Sequence, residues 1–146
     1  MPPAAAPAAA PRIELPKALR YGAADVEPTY RSALKVMQDA GLLAADLPGG
    51  GKLVDETRAA MVAGDFVRAK YAAERLLEDV NAVRVDRAFI AAKMARLSGA
   101  MKGRSLEGET RRQVDALFQE ATAAYGDGKF AVANQKINRL FSLLTK

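Results

Sequence analysis

Three stretches carry residue types with chemical uses: GGGK at 49–52, GDG at 126–128, and the basic run from Arg84 to Arg112. A phosphate-cradling loop needs wider glycine spacing, a serine or threonine after the lysine, and a strand leading in. Leu53 follows Lys52 and no strand precedes, so GGGK is expected to be a plain loop. A calcium loop needs a ladder of acidic side chains ending in glutamate. GDG lacks that ladder and is expected to be a hairpin turn. The 146 residues include no histidine and no cysteine. Thiol catalysis, thiolate metal sites and disulfides are therefore excluded, and the commonest general base is missing. Among the carboxylates, Asp25 with Glu27 and Asp55 with Glu56 stand close in sequence. Adjacent helical positions point apart, so neither forms a catalytic pair. The expectation is a protein without catalytic residues, cofactor or metal.

The basic run is the sharpest electrostatic feature. Arg84, Arg87, Lys93, Arg96, Lys102, Arg104, Arg111 and Arg112 face only Asp86, Glu107 and Glu109 in the same segment. That surplus equals the net charge of +5, so the remainder of the chain is balanced. These basic residues form a candidate partner-binding surface, suited to phosphate or to an acidic protein face. On a helical wheel, however, Arg84, Arg87, Lys93, Arg96 and Lys102 scatter, as a solvated surface does.

The elements that must position these residues are helices. Half the residues are hydrophobic and only 6% are aromatic, a balance that favours helix over strand. The length fits one domain. The opening MPPAAAPAAAP holds four prolines, six alanines and no charge. It is expected to be an extended linker or tether, with residues 1–27 as lead-in and 28–146 as a single all-helical domain. Pro28 suits the first turn of a helix, with Tyr30, Ala33, Leu34, Met37 and Ala40 on one face and Gly41 as its stop. Further helices are expected over about 53–63, 66–80, 83–101, 109–125 and 130–144. The helix over 83–101 carries two apolar faces, as a helix between neighbours would. Asn81 marks the break before it, with one continuous helix over 66–102 as the alternative. No run of apolar residues is long enough to cross a membrane as a helix.

The third and sixth helices echo each other. Sliding the sequence along itself until Phe66 meets Phe130 carries Ala69, Ala73, Leu76, Leu77 and Val80 onto Ala133, Ile137, Leu140, Phe141 and Leu144. Arg75 falls on Arg139, and a Gly-Asp turn precedes each copy, two residues longer in the second. These stretches resemble the turn and second helix of a tetratricopeptide repeat: an aromatic after the turn, a small residue three on, then apolar residues after four and three. Close packing of two helices explains the pattern, because the small residue admits the neighbour and the aromatic fills the corner. The resemblance covers about a third of the chain and implies stacked helical hairpins that bind other proteins. Tandem repeats of that family recur every ~34 residues, whereas Phe66 and Phe130 stand almost twice as far apart. A plain helical bundle is the rival architecture.

The expected fold is thus all-α, about six helices in antiparallel hairpins, as a tetratricopeptide-like stack or a bundle. The expected function is a non-enzymatic protein–protein interaction module, a scaffold or adaptor using a groove between hairpins. The alternatives are a basic nucleic-acid-binding protein and a structural subunit of a cell-envelope assembly, cytoplasmic or exported and tethered if a signal lies upstream. Salt separates the first alternative from the rest. A nucleic-acid binder would shift DNA or RNA at low salt, with affinity falling steeply as salt rises and weakening when Arg104, Arg111 and Arg112 become glutamine. The adaptor reading expects no shift in a gel-retardation titration.

Overall fold

The structure is a computed structural model that describes residues 20–145. The Ala/Pro-rich opening lies outside the described residues. Six α-helices follow in order: α1 (Ala23–Ala40), α2 (Lys52–Val62), α3 (Phe66–Ala82), α4 (Arg87–Met101), α5 (Gly108–Gly126) and α6 (Phe130–Leu144). Between α1 and α2 the chain makes two short 3-10 turns, Ala44–Asp46 and Pro48–Gly51. No strand occurs among the described residues, and the fold is all-α as expected.

Two boundaries differ from the sequence expectation, each for a local reason. Helix α1 starts at Ala23, not at Pro28. Gly22 is the extended residue before it, and its N–H donates to Asp25 Oδ2 at 2.8 Å, which fixes the earlier start. Pro28 then sits inside the helix, where its missing N–H leaves the Ala24 carbonyl without a helical donor. Ala24 is exposed, so water can serve it. The gain is Val26, fully buried in a stretch that the sequence places in the lead-in. The second difference is the break between α3 and α4. It falls at Val83–Asp86, after Asn81, and the continuous helix does not form. Val83 is extended, and Asp86 caps α4 by accepting from Phe89 N–H at 2.9 Å.

The echo between α3 and α6 belongs to a larger repetition. The same offset that carries Phe66 onto Phe130 carries the capping residue Gly22 onto Asp86, with φ, ψ of −123°, −174° and −119°, −171°. It carries Gly64 onto Gly128, both left-handed at φ 77° and 75°. The turn hydrogen bonds move with it: Ala63 N–H to Ala59, Gly64 to Met61 and Asp65 to Ala60 recur as Asp127 to Ala123, Gly128 to Tyr125 and Lys129 to Ala124. The two turns therefore have the same length. The extra Gly126-Asp127 in the sequence is only the end of α5, and the true counterpart of Gly64 is Gly128. The described chain is two copies of one three-helix unit, α1–α2–α3 and α4–α5–α6, in one register.

Packing follows the same plan. In each unit the third helix is the one on which the other two lie: α3 against α1 and α2, α6 against α4 and α5. Near each turn the helices approach through alanine, with Ala60 and Ala69 buried in the first unit and Ala124 and Ala133 in the second. Phe66 packs beside that corner in one, and Phe130 meets the Tyr125 ring at 6.1 Å in the other. Val85 and Phe89, at the start of the second unit, touch the cores of both units and join them.

The capping residues differ where the backbones agree. Asp65 accepts from Arg68 N–H at 3.2 Å, whereas Lys129 in the same conformation caps nothing. Replacing Lys129→Asp should therefore supply the missing cap and stabilise the fold by about 1 kcal/mol, while Asp65→Ala should cost about as much. Urea unfolding of the two variants measures both.

Candidate functional site

The basic residues of the Arg84–Arg112 run do not converge on one face. Lys93 is not on the surface at all: it is 1% exposed and lies among the buried residues of α4. Its Nζ is 2.6 Å from Asp46 Oδ2 and 2.7 Å from Asn134 Oδ1. Arg96, one turn on, donates to the other oxygen of Asp46 and to the Ala45 carbonyl at 2.9 Å. Arg87 lies over the rings of Tyr125 and Phe130 at 5.2 and 5.3 Å, a cation–π contact that leaves it at the turn end of the second unit. Arg84 donates to the Asn81 carbonyl. Arg111 and Arg112 pair with Asp115 and Glu109 within α5. Lys102 and Arg104 are exposed in the α4–α5 connector, without an ion pair among the described residues.

The buried part of this set is a polar clamp between the two units. Asp46 belongs to the α1–α2 connector of the first unit, and its side chain is 0% exposed. It also accepts from Leu43 N–H at 2.8 Å, which holds the connector in its turn. Asn134 and Asn138, one turn apart on α6, both donate to the Gly41 carbonyl at 2.8 Å. Gly41 is left-handed at φ 68°, and a Cβ there would stand 2.9 Å from Asn134 Nδ2. A side chain at that position would have to displace the amide. Burial holds the Lys93 ammonium below its ordinary pKa, and the Asp46 carboxylate offsets only part of that shift. Each polar side chain of the clamp thus has a partner, except for Asn138 Oδ1, which has none among the described residues.

Asp46, Asn134 and Asn138 are missing from the candidates that the sequence singles out. Two signals point toward them. Lys93 stands between Ile90 and Leu97 on the buried stripe of α4, where a lysine needs a counterion. Asn134 and Asn138 each follow a buried apolar residue of α6, Ala133 and Ile137.

The second feature is an open cleft of about 430 Å³ between α4 and α5, lined by Ser98, Met101, Lys102, Asp115, Phe118 and Gln119. Met101 and Phe118 are partly buried on the second core and give the cleft its apolar floor. Lys102 supplies a cation at the rim, whereas the charge of Asp115 is offset by Arg111 at 3.1 Å. The arrangement suits binding of an apolar side chain with a negative neighbour.

Comparison with protein-family models, with curated proteins and with solved structures gives no match to this chain.

The clamp makes a testable stability statement. Asp46→Ala would strand the Lys93 charge in the interior and should cost about 3–5 kcal/mol. The paired change Asp46→Leu with Lys93→Met removes both charges together and should recover at least half of that loss. Chemical denaturation of the three proteins decides it.

Proposed function

We propose that the protein is a non-enzymatic interaction module that receives a partner segment in the cleft between α4 and α5. One observation carries this reading: the cleft exposes an apolar floor, Met101 and Phe118, beside Lys102, a cation unpaired among the described residues. A groove between helices with a few anchors and a charged rim is a common way to bind a peptide segment. The resemblance of the two turn-and-helix stretches to tetratricopeptide repeats supports the same class. The state of Lys93 supports a structural use for the deepest cation, because Asp46 and Asn134 occupy its donors. The nucleic-acid reading has less to draw on, since Lys93 and Arg96 serve the clamp, and Arg111 and Arg112 have carboxylate partners in their own helix.

A photo-crosslinking residue placed at Gln119, in the cleft, should capture a defined partner in the native cell. The same residue at Glu78, exposed on α3, should not. The captured partner, once purified, should bind the intact chain and lose at least about tenfold in affinity with Met101→Glu, a loss of the size expected for a central anchor. Equal capture from both positions would remove the support for the cleft.

A further inference from the structure

We infer that the α4–α5 cleft takes a short, turn-forming segment that inserts a leucine and carries an acidic residue. This rests on the interaction-module reading and names the chemistry of its partner. The first unit supplies the template, because it fills the corresponding cleft with its own chain. The register that pairs Gly64 with Gly128 maps Met101, Asp115 and Phe118 onto Met37, Gly51 and Val54. In the first unit those positions are covered. Leu42 and Leu47, 6% and 5% exposed, pack in one core cluster with Met37 and Val54. Ala44 lies against Gly51 so closely that a Cβ on the glycine would stand 2.6 Å from it. Tyr30 also closes that cleft by donating its hydroxyl to the Val54 carbonyl at 3.2 Å.

The second unit keeps the cleft and only part of its filler. Leu106 takes the place of Leu42 and packs on the second core. The counterpart of Leu47 is Arg111, exposed and turned to Asp115. The counterpart of Ala44 is Gly108, now the first residue of α5. Residues 108–115 have become helix where residues 44–51 make two 3-10 turns, so Met101 and Phe118 lack the leucine cover that Leu47 gives the first unit. Met94 stands where Tyr30 would reach across. The apolar floor is thus left for a segment from elsewhere, and the leucine that suits it is the one the first unit provides for itself. Lys102 and Arg104 set the charge of that segment, because both are exposed and neither has an ion pair among the described residues.

A fluorescein-labelled peptide copying residues 41–50, GLLAADLPGG, is a direct probe. It should bind the intact chain saturably, with amide shift changes on α4 and α5. Leu47→Ser in the peptide should weaken binding at least about tenfold, the change expected from withdrawing one buried leucine. Asp46→Asn in the peptide and Lys102→Gln in the protein should each weaken it a few-fold at low salt and have less effect at high salt. The peptide substitutions leave the protein untouched, so folding cannot confuse the result. Absence of saturable binding at about millimolar peptide would overturn the inference. Equal affinity of the Leu47→Ser peptide would do so too, as would shift changes confined to α1 and α2, where the peptide would only displace its own copy. Failure here with successful capture from Gln119 would leave the interaction module standing with a partner of different chemistry. Failure of both would remove the module as well.

Discussion

A single buried carboxylate, Asp46, sets the geometry on which the two units depend. It accepts from Lys93, Arg96 and the Leu43 N–H at once. The first two contacts come from the second unit, 47 and 50 residues away in sequence, and the third comes from its own turn. Burying a carboxylate at 0% exposure is costly unless it is paired and hydrogen-bonded. The connector must therefore bring Asp46 to α4 in one orientation, and Leu42 and Leu47 are carried into the first core by the same turn. The clamp orders the filler of the first cleft and fixes the second unit against the first.

The clamp also makes the joint between the units unlike a repeating one. In the register of the two units, Lys93, Asn134 and Asn138 correspond to Thr29, Lys70 and Glu74. Asp46 and Gly41 correspond to Thr110 and Ser105. The groups that the joint uses thus occur once, and neither unit carries a second set. On the first unit, Lys70 instead pairs with Glu74 and lies over the Tyr21 ring at 5.0 Å, its pKa raised by the Glu74 hydrogen bond. An array whose every joint is alike can extend by the same contacts. The buried Lys93–Asp46 pair, present at one place, instead ties the α1–α2 connector to α4 at this joint alone.

Periodicity governs the parts that are legible in the sequence. All six helices show in the apolar spacing, and α6 is expected at 130–144, as observed. The echo between 66–80 and 130–144 is visible because Phe, Ala and the apolar stripe recur at fixed spacing. Its extent is hidden by Gly126-Asp127, which imitates Gly64-Asp65 two positions too early. Only the left-handed φ of Gly64 and Gly128 shows which glycine turns the chain. The hydrogen bond from Gly22 to Asp25 competes with the simpler signal of Pro28 and prevails, since the earlier start also buries Val26. The clamp is the least legible. Lys93 falls on the buried stripe of α4, but the carboxylate that neutralises it lies in a loop that carries no period.

The two units share a backbone plan and differ most in secondary structure at residues 44–51 against 108–115. Pro48 and the left-handed glycines at 49–51 keep the first stretch from becoming helix, and each glycine tolerates a conformation that side chains resist. Its counterpart reads GETRRQVD, which has helix formers and the Arg111–Asp115 pair one turn apart. The change of secondary structure redirects the side chains. Between the 3-10 turns, Leu47 is buried in the first core. In the helical form, the same position is an arginine paired with its own helix, and within 108–115 Val114 alone is buried. Starting α5 at Gly108 thus strengthens the helix locally and uncovers Met101 and Phe118. The apolar floor beside Lys102 thus joins the clamp and the Asp65 cap among the features in which the two units differ.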